Sequence, residues 1–382
     1  MIYVDNASTS FPKAPNVGDE MREYIENIGM NINRGLYKES SLVAEKVFET
    51  REQLCKLFNL VNKDGSLSVE NVIFTSGATS SLNMVINGLL KANDHVIVSS
   101  FEHNSVMRPL KFLSNKDIEY TVIHGDVHGR SKVSGLKNLI RENTKLVIIN
   151  HCSNITGMIF PVEEIMAVCE EFNIPLVLDA AQSAGHMSID FKRLKLSALC
   201  LPGHKGLLGP QGIGALLLSK ELASKLEPTI QGGTGSISHS LEMPEYMPDK
   251  FESGTLNLPG IYGLSKSLEY IEKNLLNIEL HEKKLTDIFL KGIKDLPFRV
   301  VGDGKCKRLG LVSIDFPSKD NAEVAHFLES NHGILTRCGM HCSPIGHKTI
   351  GTYPQGTVRF SFGYKNTIEE VEKIVDILKS LV

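Results

Sequence analysis

The sequence predicts an α/β fold with two parts: a large domain with a mostly parallel sheet that helices cover on both faces, and a smaller α+β domain. Six short, nearly all-apolar runs lie within residues 71–218, in the order NVIF, HVIVSS, KLVIIN, PLVLD, ALCL and IGALLL. Segments with helical spacing, such as SSLNMVINGLLK and VEEIMAVCEEF, lie between most of them. Strands that are apolar on both faces and alternate with helices are typical of a buried parallel sheet. After LPGIYG the pattern changes to a long helix and alternating strands, which indicates the second domain.

Composition limits the classes of function. The chain has 382 residues and a formal net charge of -3 without a basic stripe, which predicts no nucleic-acid partner. No apolar run approaches the roughly 20 residues that span a bilayer, so no membrane partner is expected. The seven cysteines are odd in number, which argues against a disulfide framework and for a reducing compartment. Because MIYVDNAS also lacks the features of a secretion signal, we expect a cytoplasmic enzyme.

Periodicity predicts the individual elements. Residues 41–60 carry apolar side chains at helical spacing, which predicts an amphipathic helix. Residues 262–295 predict a long helix, and RLGLVSIDF and GTVRFSFGY predict strands after it. Further helices are expected around residues 321–331 and 367–381, and the last begins with the capping-box sequence Thr-x-x-Glu at Thr367.

Polar sequence follows five of the apolar runs directly. The five segments are TSGATSS, FEHNS, HCSNITG, DAAQS and PGHKG. Ligands of open α/β sheets bind beyond the carboxyl ends of the strands. We therefore expect the five segments to converge on one crevice.

A glycine turn in the first segment precedes a predicted helix. Gly77, Ala78 and Thr79 would expose backbone N–H groups at the N-terminus of that helix, which suits a phosphate group. The alternative is a simple N-cap by Thr75, Ser76 or Thr79. The turn alone does not decide between them.

Lys205 is the only charged residue in LCLPGHKGLLGPQGIGALLLS. A lysine in apolar surroundings has a lowered pKa and is a good nucleophile toward a carbonyl group. A Schiff base with pyridoxal 5'-phosphate (PLP) would explain its position, because PLP needs a lysine, an acid for its pyridine nitrogen and a phosphate cradle. Asp179, at the end of a buried run, and the Gly77 turn complete that set. The alternatives are a lysine that reaches solvent and an Asp179 that caps a helix beginning near Ala180.

Four further residues are candidates on the residue pattern. His103 and His204 each follow a strand, and a structural and a functional role fit them equally well. Cys342 lies in the polar loop TRCGMHCSPIGH, where neighbouring His and Arg side chains can stabilise a thiolate. Zinc is a weaker alternative there, because Cys-x3-Cys is not a usual zinc spacing. Strand alternation places Arg359 opposite an apolar face, where it could bind a substrate carboxylate or be simply exposed.

The motifs together resemble a known family. In order, YVDNAS, FTSGAT, FEHNS, DAAQS, PGHKG, FESGT, RCGMHC and VRFSFGYKNTIEEVE resemble the class V aminotransferase group of fold-type I PLP enzymes. Within it the chain resembles the cysteine desulfurase and selenocysteine lyase branch, and its short Arg-x-Gly-x-His-Cys loop resembles that of group II desulfurases. The resemblance implies a seven-stranded sheet in a PLP-binding domain of residues 15–260. Residues 1–14 and 261–382 would form the small domain that carries the cysteine loop.

The resemblance also implies roles around the cofactor ring. Lys205 would bind PLP covalently, and Asp179 would pair with the pyridine nitrogen. His103 would stack on the ring and take part in catalysis. Gln182 and Asn154 would contact the side of the ring that carries the hydroxyl group.

A second set of residues is implied for the phosphate group. Ala78, Thr79 and His204 would hold it within the subunit. Gly254 and Thr255 would reach it from a second subunit, so a homodimer is implied.

The remaining implied roles concern the substrate. Arg359 and Asn154 would bind the amino acid, and Cys342 would accept its sulfur. Pro202 stands where relatives usually have a phosphate-binding serine, and Met340 replaces the first histidine of the usual His-His-Cys. The first departure, together with Ala78 where relatives often have Thr, predicts a somewhat weaker grip on phosphate. The second leaves the substrate preference open.

The expected activity is that of a cysteine desulfurase, a transferase that converts L-cysteine to L-alanine. A persulfide on Cys342 would pass its sulfur to an acceptor protein or thiol, as in iron–sulfur cluster assembly. A selenocysteine lyase or another class V PLP enzyme is the nearer alternative. A zinc-binding or interaction protein that keeps the fold is the alternative from a different class.

Overall fold

A computed structural model describes residues 1–32, 37–130, 133–302 and 306–382. Its main feature is a seven-stranded sheet, as the resemblance implies. The strands are β2 (Val72–Thr75), β3 (His95–Ser99), β4 (Glu119–Ile123), β5 (Thr144–Asn150), β6 (Leu176–Asp179), β7 (Ala198–Pro202) and β8 (Gly214–Leu218). They follow the short strand β1 (Ile2–Tyr3), which lies elsewhere.

The order of the seven strands brings the polar segments together. The order is β2-β8-β7-β6-β5-β3-β4, and the neighbouring strands from β7 to β4 are parallel. Strand β8 is antiparallel to both β2 and β7, so β2 runs in the same direction as β7. The carboxyl ends of all strands except β8 therefore share one edge of the sheet.

Both faces of the sheet are buried, which explains the continuous apolar runs. Ile97 of β3 faces one core and its neighbours Val96 and Val98 face the other, and Val147 and Ile148 of β5 divide in the same way. Helices α1 (Val17–Glu23) to α7 (Leu258–Ile293) surround the sheet. Between them lie α2 (Lys38–Phe58), α3 (Ala78–Leu89), α4 (Asn104–Leu113), α5 (Val162–Glu171) and α6 (Lys220–Ala223).

The rest of the chain forms a smaller unit around an antiparallel sheet of four strands in the order β12-β13-β10-β9. The strands are β9 (Arg299–Val301), β10 (Leu311–Asp315), β12 (Arg337–Gly339) and β13 (Thr357–Ser361), and β11 (Ile334–Leu335) pairs with β1. The helices are α8 (Asn321–His332), α9 (Pro344–Ile350) and α10 (Ile368–Ser380). One core joins Ile2 and Val4 to the far half of α7 and to α10.

We therefore propose the domain boundaries that the sequence predicts, with residues 15–260 in the large domain and residues 1–14 and 261–382 in the small one. The N-terminal segment belongs with the small domain because β1 pairs there and its apolar side chains enter that core.

The sequence missed several elements, among them β4 and α4, and displaced the start of another. Helix α7 begins before the predicted residue 262, because Pro259 occupies its first turn and the Asn257 side chain caps it, so LPGIYG does not break the helix. Strand β4 was missed because it lies at the sheet edge and most of its residues are partly exposed, and α4 was missed because Pro109 lies inside it. The capping box of Thr367 and Glu370 at α10 is present.

In the part of the chain that the structure describes, every helix is too short or too polar to cross a bilayer.

Candidate active site

The five polar segments meet in one cavity, as the sequence predicts. The cavity has a volume of about 480 Å³ and lies at the shared carboxyl edge of the strands. Each segment contributes to its lining, and among the lining residues are Ala78, Thr79, His103, Asn154, Asp179, Gln182, Pro202, His204 and Lys205. The structure thus brings together nine residues that the sequence singled out.

The glycine turn leaves the N-terminus of α3 open to the cavity. Gly77 has a φ of 144°, a conformation that favours glycine. No side chain of the described residues caps α3, and Thr75 Oγ1 instead accepts a hydrogen bond from the Gly77 N–H. The N–H groups of the first turn therefore point toward the cavity without a side-chain partner, as an anion site requires. This observation favours phosphate over a simple N-cap.

Lys205 and Asp179 are the two charged side chains that line this cavity among the described residues. Burial lowers the pKa of Lys205 to about 8, although the Asp179 carboxylate opposes the shift. Burial raises the pKa of Asp179, and the Ala181 N–H, which donates to its Oδ1 at 2.9 Å, opposes that rise. The sequence alternative of a helix cap at Asp179 is wrong, because a turn and not a helix follows β6. The Lys205 amine and the Asp179 carboxyl group therefore have few partners in the protein, and both are available to interact with a bound ligand.

His103 presents a neutral ring to the cavity. Its Nδ1 accepts a hydrogen bond from the Ser105 N–H at 3.0 Å, which places the ring proton on Nε2. Burial lowers the pKa of His103 to about 4, and the Lys205 and Arg108 charges add to the effect. A neutral imidazole suits contact with a flat aromatic ring better than an imidazolium would.

Glu102, next to His103, is a buried acid that sequence reasoning missed. Its Oε1 accepts hydrogen bonds from Ser99 Oγ at 2.5 Å and from the Asn150 N–H at 2.9 Å. Burial raises the pKa of Glu102 to about 8, so it is mostly protonated at neutral pH. Glu102 therefore links the ends of β3 and β5 without placing a second negative charge near Asp179. Its place in FEHNS was the only sequence signal.

The N-terminal segment supports the Lys205 loop, which the sequence also did not predict. Lys13 Nζ donates to the carbonyl oxygen of His204 at 2.8 Å and to Thr9 Oγ1 at 3.0 Å. His204 Nδ1 lies 3.1 Å from the same Thr9 hydroxyl. Burial lowers the pKa of His204 to about 4, and the Lys205 and Lys13 charges contribute. The backbone directly before Lys205 is thus held by residues from the start of the chain.

Arg359 is buried, so the alternative of an exposed strand arginine is wrong. Its Nη2 donates to Asp5 Oδ1 at 2.9 Å and to Ser8 Oγ at 2.8 Å, and its Nη1 donates to the Asn154 carbonyl at 3.1 Å. Its Nε is buried and has no hydrogen-bond partner among the described residues. Arg359 does not belong to the lining of the cavity, but its bond to the Asn154 carbonyl attaches it to a residue that does. The sequence did not identify Asp5 as the partner that holds Arg359 in place.

Cys342 lies at the edge of this site, on the loop before α9. Its side chain is exposed, and its carbonyl oxygen accepts a hydrogen bond from the Asn104 N–H, next to His103, at 2.8 Å. Cys342 also exerts an electrostatic effect on Lys205. Among the described residues no three His, Cys, Asp or Glu side chains come together as metal ligands, so no observation here favours the zinc alternative.

Two predicted cofactor residues do not line this cavity. Gly254 and Thr255 line a second cavity of about 750 Å³ together with the ion-paired Arg51 and Glu252. A contact of Gly254 and Thr255 with the cofactor therefore stays a prediction that needs a second subunit.

The family model Aminotransferase class-V matches residues 2–374 of this chain. The chain belongs to the class-V aminotransferase family. A probable cysteine desulfurase of Pyrococcus abyssi is 35% identical, with 100% of this chain and 94% of the relative covered. A probable cysteine desulfurase of Methanothermobacter thermautotrophicus is 31% identical over 100% of this chain and 94% of its own length.

Solved structures agree with these class-V relatives. The apo structure of a cysteine desulfurase from Thermococcus onnurineus has a TM-score of 0.92 and 33% identity, with coverage of 100% of this chain and 94% of that chain. The cysteine desulfurase CsdA from Escherichia coli has a TM-score of 0.88 and 25% identity, with coverage of 100% and 95%. The fold is therefore the fold-type I architecture that the sequence predicts.

Members of this class-V family depend on PLP, and the cavity fits that cofactor. The uncapped N-terminus of α3 suits the phosphate group, the Lys205 amine suits the aldehyde, and the buried Asp179 carboxylate suits the pyridine nitrogen. The donor set contains each group that PLP needs.

The lowered pKa of Lys205 makes a prediction for protein stripped of cofactor. Only the uncharged amine attacks an aldehyde, so the rate of covalent PLP attachment should rise with pH around a midpoint near 8. A lysine with its usual pKa of 10.5 would give a much higher midpoint. Visible absorption in a stopped-flow pH series measures this rate. Lys205→Arg should abolish the signal and Lys13→Arg, which changes a second amine with a pKa of about 8, should retain it. A midpoint above 10 in the native protein would contradict the account.

Proposed function

We propose that this protein is a PLP-dependent cysteine desulfurase that converts L-cysteine to L-alanine and carries the sulfur as a persulfide on Cys342. One observation carries the proposal beyond PLP chemistry in general: an exposed cysteine is docked against the edge of the cofactor cavity through the backbone beside His103. The relatives named as probable cysteine desulfurases support it.

The residues of this chain bind and orient the amino acid. Arg359 is held by Asp5, Ser8 and the Asn154 carbonyl beside the cavity, and its guanidinium would bind the substrate carboxylate. This ion pair would fix the Cα atom relative to Lys205. Asn154 lines the cavity and would contact the substrate or the ring hydroxyl.

Bound PLP supplies an electron sink for the bonds broken at the substrate carbons. Lys205 Nζ moves the protons: with a pKa of about 8, it can take the Cα proton and later return a proton to the substrate carbon. Cys342 Sγ, as thiolate, attacks the substrate sulfur. A sulfur–sulfur bond forms as the substrate carbon–sulfur bond breaks, and reprotonation of the carbon gives alanine.

The persulfide then passes its terminal sulfur to an acceptor. We propose an acceptor protein or thiol in the cytoplasm, with iron–sulfur cluster assembly as the process served. The exposed position of Cys342 supports this step, because an acceptor thiol can approach from solvent. Selenocysteine lyase activity is the second candidate, because selenium would leave by the same attack.

The function makes a direct prediction for Cys342→Ala. The variant should retain the visible absorption of bound PLP, because Cys342 does not line the cofactor cavity. It should lose at least 100-fold in alanine formed per minute from L-cysteine, because no nucleophile remains for the sulfur. Cys338→Ala, a change four residues away in β12, is the control and should keep most of the activity. Full turnover by Cys342→Ala would refute the persulfide mechanism.

We also propose a homodimer in which Gly254 and Thr255 complete the phosphate site of the second subunit. Large apolar side chains are exposed near the cavity that these residues line: Leu241 belongs to its lining, and Ile230 is 66% exposed. On α2, the helix of the lining residue Arg51, Leu42 and Phe48 are 52% and 50% exposed. Exposed apolar groups of this kind are typical of a protein interface.

Complementation between two variants tests the shared site. Lys205→Ala and Thr255→Ala should each lower desulfuration, and a mixed dimer of the two should regain about half of the native activity per dimer. If each active site combines Lys205 of one subunit with Thr255 of the other, one site of the mixed dimer carries both changes and the other site carries neither. Analytical ultracentrifugation should first show a dimer. A monomeric active enzyme, or a mixed dimer with no regained activity, would refute the arrangement.

A further inference from the structure

The loop that carries Cys342 has a backbone conformation that side chains disfavour. His341 has a φ of 47° and Cys342 a φ of 59°, both in the left-handed region. Non-glycine residues rarely occupy this region, and two in succession persist only where surrounding contacts hold them. Contacts with the rest of the protein must therefore hold the loop in this conformation.

Two side chains hold the loop on either side of Cys342. Asn154 Nδ2 donates to the carbonyl oxygen of His341 at 2.5 Å. Ser343 Oγ donates to Asn154 Oδ1 at 2.9 Å. One amide thus contacts the residue before Cys342 and the residue after it.

The contacts are buried, so water does not readily replace them. Ser343 is fully buried, and Asn154 and His341 are at most 8% exposed. Without the Ser343 hydroxyl, Asn154 Oδ1 would lose a partner inside the protein, and an unsatisfied buried acceptor is costly. The thiol between the two contacts remains exposed.

We propose that Asn154 and Ser343 are positioning residues that clamp the Cys342 loop and fix the sulfur atom relative to the substrate; this inference rests on the proposed function. The Asn154 carbonyl also accepts a hydrogen bond from Arg359 Nη1 at 3.1 Å. The guanidinium for the substrate carboxylate and the loop of the attacking thiol are thus both attached to Asn154. A rigid loop, rather than a mobile one, delivers the sulfur nucleophile.

Ser343→Ala in the PLP-bound enzyme tests the clamp. Amide hydrogen exchange in peptides that cover residues 340–346 should increase on the order of tenfold, because a buried hydrogen bond is lost. The kcat for alanine formation should fall roughly 10- to 100-fold, because a misplaced nucleophile reacts slowly, with KM changed less than about twofold. Ser267→Ala is the matched control, because this buried hydroxyl donates to the Leu264 carbonyl within α7, far along the chain from the Cys342 loop, and it should change neither quantity.

A second pair of variants separates the hydroxyl from the volume of the side chain. Ser343→Thr keeps the hydroxyl group and should show the slow exchange and the kcat of the native enzyme. Ser343→Val has nearly the shape of the threonine variant but lacks the hydroxyl group, so it should behave like Ser343→Ala. If Ser343→Ala does not fold, the comparison of the Thr and Val variants still shows whether the hydroxyl group holds the loop.

The outcomes also separate the clamp from the proposed function. Native exchange and kcat in Ser343→Ala, or equal behaviour of the Thr and Val variants, would overturn the clamp and leave the desulfurase proposal standing. Full turnover by Cys342→Ala would instead overturn the function, while the exchange rates would still report on the clamp.

Discussion

The site depends on the opposition of two charges in one cavity. Lys205 and Asp179 come from the ends of adjacent strands, where burial lowers the pKa of the amine to about 8 and raises that of the carboxyl group. Their mutual attraction offsets only part of the cost of burial. A cofactor with an aldehyde and a basic ring nitrogen gives each group a partner. The parallel pairing of β6 and β7 makes this arrangement possible, because it places the carboxyl ends of both strands at the same edge of the sheet.

The proposed small domain adds two groups beside the PLP site. It contributes Arg359, which Asp5 fixes, and the loop of Cys342, which Asn104 and Asn154 of the large domain hold. In the proposed function, both of these groups act on the substrate, so its site would lie between the two proposed domains. The N-terminal segment crosses from one to the other, because β1 pairs with β11 while Lys13 binds the backbone beside Lys205.

Sequence reasoning found the parts of the site that a local pattern marks. Apolar runs followed by polar segments predicted the convergence of five loops, because strand direction alone decides where such segments meet. It could not find Asp5 or Lys13, since their partners lie more than 190 positions away and no periodicity connects them. Glu102 was missed for another reason: an acid looks solvated in a sequence, and only burial by β3 and β5 makes it protonated.

We propose above all that Lys205 is the amine that binds PLP covalently. Reduction of the purified protein with borohydride, followed by tryptic mass spectrometry, tests it most directly. The account predicts that the visible absorption bleaches and that the reduced pyridoxyl group is found on the peptide with Lys205 and on no other. A colourless protein, or a pyridoxyl group on Lys13 or a surface lysine with Lys205 unmodified, would contradict it.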